Sequence, residues 1–272
     1  MRNKSSLLYM VWMIIFTLVP MILILFFAFT DKNWNFTLEN IKDVGNYSNI
    51  FLRSIGLGAL STIICLLLSY PLAYIISKIP TNSQGVIIML IMLPMWMNFL
   101  LRTYAWMTIL ENNGLLNKFL SLFGISQISF INTSGAVVLG MVYNFLPYMI
   151  LPIYSAISKI DKRVIEAAQD LGAGKRKVFT KVLMPLSVPG IISGVTMVFV
   201  PAVSTFIISK MLGGGANILI GDLIEMQFLG STYNPHLGSA ISFVLMILIF
   251  ISIGIMNQFD DSDELSVPAG YI

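Results

Sequence analysis

Six stretches of this chain run past twenty residues with almost no charge: Leu7–Phe29, Ser54–Ser77, Gly85–Leu110, Ser134–Ser158, Ser187–Ser209 and Leu237–Phe259. A bilayer's hydrocarbon core is about 30 Å thick, and a helix crosses it with about 20 apolar residues. The runs therefore predict an all-α integral membrane protein with six transmembrane helices. A soluble globule is excluded by composition. Hydrophobic residues make up 57% and charged residues 11%, where soluble domains carry roughly 25% charged residues. Disorder and a coiled coil fall on the same grounds. One cysteine, Cys65, leaves no intrachain disulfide or cysteine-based metal site, and one histidine, His236, leaves no multi-histidine centre. A net charge of +3 is too small to point to nucleic acid.

Loop charge sets the orientation, because short cytoplasmic loops collect Lys and Arg. With the N-terminus inside, the inner side holds Arg2, Lys4, Lys78, Lys159, Lys162, Arg163, Lys175, Arg176, Lys177 and Lys181. The outer side holds Lys32, Lys42, Arg53, Lys118 and Lys210. This bias places both termini in the cytoplasm. The first run reads as a retained signal-anchor helix, since it is long and no small-x-small cleavage site follows it. The chain then divides into an N-terminal helix and outer loop (1–53), a permeation core (54–259) with a cytoplasmic loop (159–186), and an acidic tail (260–272). The outer stretches Thr30–Arg53, Glu111–Thr133 and Lys210–His236 read as loops too short for a catalytic domain.

No Asp or Glu lies within the six runs, whereas proton-coupled carriers usually need ionisable groups there. A sodium site built from backbone carbonyls stays open on this ground. The chain also lacks a phosphate-binding loop. Gly172-Ala-Gly174-Lys175-Arg176 misses both the first glycine at the right distance and the Ser/Thr after the lysine. Uphill transport would need energy from a partner. Arg102 is the one charge inside a run, about 24 Å along a continuous helix from Val86 at the usual rise. It reads as snorkelling or ion-paired, or as a gate residue. Asn98 and Asn144 read as interhelical hydrogen-bonding groups. Tyr70, Tyr74, Tyr104, Trp106, Tyr143, Tyr148 and Tyr154 offer aromatic faces to a cation, or serve as interfacial and packing residues. Glu111, Asp222 and Glu225 lie in outer loops, where they read as solvated charges or as guides for a cation.

The loop 159–186 is the most charged part of the chain. Asp161 suits a helix N-cap and Gly172 a left-handed stop. Between them Val164, Ala168 and Leu171 fall on one helical face. A second, basic helix over Lys175–Leu183 is expected to end before Pro185, and Pro189 to sit in the first turn of the next run. Within this loop Glu166-Ala167-Ala168, three residues, Gly172, nine residues and Val182-Leu183-Met184-Pro185 resemble the EAA motif of binding-protein-dependent ABC importer permeases. Val and Met stand where that family has Ile and Leu. Leu93-Pro94, Arg102-Thr-Tyr104-Ala-Trp106, Asn113-Gly114, Phe145-Leu-Pro147-Tyr148, Ala168-Gln-Asp170-Leu-Gly172, Leu212-Gly213-Gly214 and Gln227-Phe228 extend the resemblance to the PotB-type permeases of spermidine/putrescine importers. Ser204-Thr205 stands where these permeases usually have a glycine-containing turn, and Ser209-Lys210 where a proline is expected.

The resemblance implies a type I ABC importer transmembrane domain (MetI-like) in the bacterial cell membrane. This chain would bind no cofactor. ATP and Mg would sit on a homodimer of ATPase subunits. A second, PotC-like permease and an extracytoplasmic polyamine-binding protein would complete the assembly. Val164, Glu166, Ala167, Ala168, Asp170, Leu171, Gly172 and Pro185 would couple to the ATPase. Arg102, Tyr104, Trp106, Asn144 and Tyr148 are the candidate pathway or gate residues. Related permeases handle iron, phosphonate compounds or thiamine, which leaves another small solute as the alternative substrate. An ion-coupled carrier or channel acting alone is the alternative class.

Overall fold

The structure, a computed structural model, describes residues 9–264 apart from 216 and 231. Apart from one isolated bridge between Thr30 and Phe36, the regular elements among the described residues are helices. In order they are α1 (Tyr9–Ala28), α2 (Glu39–Val44), α3 (Ser48–Lys78), α4 (Thr81–Met92), α5 (Phe99–Leu110), α6 (Leu115–Ser121), α7 (Ser134–Ser158), α8 (Lys162–Asp170), α9 (Lys175–Leu186), α10 (Val188–Ser204), α11 (Ile207–Leu212), α12 (Ile220–Leu229) and α13 (Pro235–Glu264). The helices α1, α3, α7 and α13 are long and apolar enough to cross a bilayer unaided. Two bent pairs, Thr81–Trp96 with Phe99–Ser121 and Lys175–Leu186 with Val188–Ser204, are apolar enough only when taken together, which gives four candidate spans, or six with each bent pair counted as one.

The first break divides Gly85–Leu110 at Pro94, a residue type that kinks or breaks spanning helices. Pro94 has no N–H to give to the preceding turn. The chain tightens into a 3₁₀ turn over Leu93–Trp96. Asn98 then restarts it as the N-cap of α5, its side-chain oxygen accepting from Leu100 N at 2.8 Å. The segments on either side meet at 86°. The run Ser187–Ser209 is also interrupted. The helix α10 stops at Ser204, Thr205 is extended, and α11 begins at Ile207. The end of α10 is covered by Gly221, where a Cβ would lie 2.5 Å from Ser204 O.

The bundle is centred on α3, α7 and α10, with α13 packed on α1, α10 and α12. Small residues let these backbones approach, as in other membrane bundles. A Cβ at Gly190 would meet the Ala156 side chain at 2.5 Å, and one at Gly194 would meet Met149 Sδ at 2.7 Å. Met141, Met149, Ile153 and Val198 fill the centre. A second cluster joins Phe199, Val203, Ile220, Leu223 and Ile241. Lipid offers little hydrophobic drive between helices, so polar ties matter at the ends. Asn217 Nδ2 donates to Asn132 O at 3.0 Å and to Gly213 O at 3.1 Å. The Arg53 guanidinium donates to the Asn217 side-chain oxygen and to Ser134 Oγ.

The stretch Lys210–His236, expected as an outer loop, is largely helical. It holds the end of α11 and all of α12, and Leu212, Leu219, Ile220 and Leu223 are buried. The helix α13 continues through Glu264, into the residues read as the acidic tail. Arg2, Lys4 and residues 265–272 lie outside the described residues.

Candidate coupling site and pathway residues

The helix α8 is a short rod closed at both ends by its own sequence. Asp161 Oδ1 accepts from Arg163 N at 2.9 Å, the expected N-cap. At the other end Gly172 N donates to Gln169 O at 2.9 Å and Ala173 N to Ala168 O at 3.0 Å. That pair of bonds is the Schellman closure, which requires a left-handed residue between helix and exit. Gly172 supplies it with φ +80°.

The apolar face differs from the expected one. Ile165 and Ala168 are the half-buried positions of α8, whereas Val164 is 46% exposed and Leu171 89% exposed. Leu171 lies just past the last helical turn, so it projects rather than packing inward. Clefts flank α8 on both sides. One of about 570 Å³ lies between Ala156, Val164, Pro189 and Gly190. The other, of about 480 Å³, lies between Tyr74, Lys78, Ile165, Glu166 and Lys175. Glu166 forms no ion pair among the described residues, where Lys210–Glu225 is the one found.

The second helix of the loop does not end before Pro185. A π turn over Phe179–Leu183 absorbs the proline's missing N–H, and α9 continues through Leu186. Ser187 forms the elbow, where α9 and α10 meet at 63° with Pro189 in the first turn of α10. This elbow is tied to α3. Ser187 Oγ and Tyr70 OH are 2.9 Å apart in a buried hydrogen bond. The Phe179 ring meets Tyr70 and Tyr74 edge-on, at centroid distances of 5.4 and 5.8 Å. Lys78 Nζ sits 4.0 Å over the Tyr74 ring. Tyr154 OH donates to Gln84 Oε1 at 2.7 Å and fastens α7 to α4. The roles of Phe179 and Ser187 escaped sequence reasoning, because their partner Tyr70 is more than a hundred residues away.

Among the candidate pathway residues, Arg102, Asn144 and Trp106 make local contacts. Arg102 neither snorkels nor pairs with a carboxylate. It is 7% exposed and turns back on the break, with Nη1 donating to Pro94 O at 3.0 Å and the guanidinium over the Phe99 ring. Asn98 is a cap, and Asn144 Nδ2 bonds Gly140 O of its own helix at 2.8 Å, so neither makes the expected interhelical bond. Trp106 packs edge-on against Tyr143. Tyr104 and Tyr148 are exposed. Asp222 is buried rather than solvated, and burial raises its carboxyl above the ordinary carboxylate value.

The sequence matches binding-protein-dependent transport system inner membrane components across residues 1–261. It is 40% identical over 252 residues to the Haemophilus influenzae spermidine/putrescine transport system permease protein PotB, covering 89% of this chain and 88% of that one. It is 36% identical over 247 residues to the Escherichia coli protein of the same name, covering 87% and 90%. The Escherichia coli inner membrane ABC transporter permease protein YdcU is 28% identical over 260 residues, covering 88% and 82%. In fold the chain matches the crystal structure of a bacterial ABC transporter for import of the acidic polysaccharide alginate. The TM-score is 0.80 at 17% identity, over 96% of both chains. The polypeptide is thus a membrane subunit of a transport system, and it belongs to the family of binding-protein-dependent transport system inner membrane components.

Proposed function

We propose that the chain is one permease subunit of an ATP-driven importer of polyamines such as spermidine and putrescine. A second, PotC-like permease completes the path, and a homodimer of ATPase subunits carries ATP and Mg on the cytoplasmic side. An extracytoplasmic polyamine-binding protein delivers substrate to the opposite face, and both termini lie in the cytoplasm. The observation that carries this reading is the 40% and 36% identity, over nearly the whole chain, to permeases named for spermidine/putrescine transport.

The coupling loop fits the role. The exposed Val164 and Leu171 offer an apolar grip to an ATPase groove, while Glu166 and Asp170 offer charges to its basic groups. Ala167 and Ala168 keep the approach close. ATP binding on the ATPase shifts an equilibrium between inward-open and outward-open states in proportion to its differential affinity for them. Movement of α8 reaches α3 and α10 through Phe179, Tyr70 and Ser187, and Pro185 and its π turn form the flexible part of that lever. Along the path Tyr104 and Tyr148 present exposed rings to a polycation, each contact worth on the order of 0.5–2 kcal/mol.

Deletion of this subunit is expected to abolish ATP-dependent uptake of radiolabelled spermidine and putrescine and to spare amino-acid uptake. Unchanged polyamine uptake with loss of another solute refutes the substrate and leaves the permease class standing.

A further inference from the structure

The second cleft beside α8 has a cationic rim over an apolar floor. It holds about 480 Å³, at the end of the bundle where the spans α3 and α7 stop. Ile157 and Leu183 are buried at its base, and Ile165 is half-buried. Lys78, Lys162 and Lys175 line it, and Glu166 is the one acid among its lining residues. The three lysines come from three elements: Lys78 closes α3, Lys162 opens α8 and Lys175 opens α9. None of them pairs with Glu166, since Lys210–Glu225 is the one ion pair among the described residues. Lys78 Nζ is instead held 4.0 Å over the ring of Tyr74, which lines the same cleft. Three ammoniums against one carboxylate leave the cavity with uncompensated positive charge.

We propose that this cleft binds the phosphate of an anionic phospholipid, such as phosphatidylglycerol, from the leaflet on the α8 side. Like charges around one cavity repel, and an anion entering between them relieves that repulsion. An ammonium carries three donors and no acceptor, and phosphate oxygens supply the acceptors. The floor separates a lipid from a soluble phosphate. Ile157, Ile165 and Leu183 offer a free phosphate ion nothing, whereas they match the glycerol and first methylenes of an acyl chain. The height is that of headgroups, because Tyr74 and Lys78 end a membrane span and such side chains settle in the interface. A seated headgroup bridges the ends of α3 and α7 to α8, so it braces the coupling helix against the bundle. The site does not depend on which solute the transporter carries.

The test is native mass spectrometry of the complete transporter, purified with its second permease and ATPase and titrated with phosphatidylglycerol or phosphatidylcholine, counting lipid retained per copy of this subunit. Wild type is expected to retain phosphatidylglycerol in preference. Each lysine beside an anionic headgroup contributes about fivefold to affinity. The triple variant Lys78→Gln, Lys162→Gln, Lys175→Gln therefore loses about a hundredfold for phosphatidylglycerol and nothing for phosphatidylcholine. Glu166→Gln removes the competing acid and tightens phosphatidylglycerol binding, so the two variants move in opposite directions. The amount of subunit in the membrane, measured for both, separates weak binding from loss of folding. Equal retention of phosphatidylglycerol by wild type and triple variant overturns the site. Unchanged binding by Glu166→Gln overturns it even if the triple variant fails to accumulate. Displacement of the retained lipid by inorganic phosphate makes this a site for soluble phosphates and overturns the lipid. Loss of co-purified ATPase from the triple variant, with phosphatidylglycerol retained, assigns the lysines to the ATPase and overturns the site as well.

Discussion

Gly172 holds the exit of α8 with a φ of +80°, and open space surrounds the place a Cβ would occupy. The demand on this residue is conformational rather than steric. A β-branched side chain there costs about 1–2 kcal/mol of backbone strain. The strain is relieved by unwinding the Schellman turn, which moves Leu171 off its place at the tip. Gly172→Val is therefore expected to reach the membrane in normal amounts and to co-purify less ATPase. Equal recovery of ATPase with wild type and variant would detach this turn from docking. The capping roles of Asp161 and Gly172 are readable from residue type, because both act on their immediate backbone. Arg102 is not readable in this way. Its position along a continuous helix placed it near an interface, but Pro94 and Asn98 break that helix and bring the guanidinium back onto Pro94 O.

At the scale of elements, hydropathy identifies the apolar runs that cross the membrane but is blind to where they bend. The break after Pro94 and the elbow at Ser187 both follow prolines. Pro71, Pro147, Pro152 and Pro201 nonetheless sit inside continuous helices, so proline alone does not announce a break. The outcome depends on a new cap, as at Asn98, and on neighbours that cover the freed backbone, as Gly221 does at Ser204. Lys210–His236 reads as an outer loop because five glycines and three charged residues break up its apolar ones, leaving no run long enough to cross a bilayer. Its buried residues, Leu219, Ile220 and Leu223, find partners on distant helices. The connection from the coupling loop into the bundle is likewise tertiary. Phe179 touches both Tyr70 and Tyr74 of α3, and each aromatic pair contributes about 0.5–1.5 kcal/mol beyond area. Phe179→Ala is expected to retain the ATPase and to lower the polyamine taken up per ATP hydrolysed. An unchanged ratio would show that motion enters the bundle elsewhere.

For the whole molecule, the polar and charged devices lie at the two ends of a largely apolar bundle. One end carries α8 and its two clefts; the other carries the Arg53–Asn217 network and the Lys210–Glu225 ion pair. Between them α3, α7 and α10 are packed through glycine contacts too close for a Cβ. Such a core shifts as rigid pieces rather than deforming smoothly, which suits a device that exposes one end at a time. The measurement that tests this account most directly is ATP-driven accumulation of radiolabelled spermidine in proteoliposomes. These would hold this subunit, its partner permease and the ATPase, with binding protein on one side. Glu166→Lys would be assayed beside wild type. The account predicts accumulation that requires ATP with wild type, and loss of both accumulation and co-purified ATPase when the charge at Glu166 is reversed. ATP-independent accumulation by the wild type, or accumulation and ATPase recovery by Glu166→Lys at the wild-type level, would contradict it.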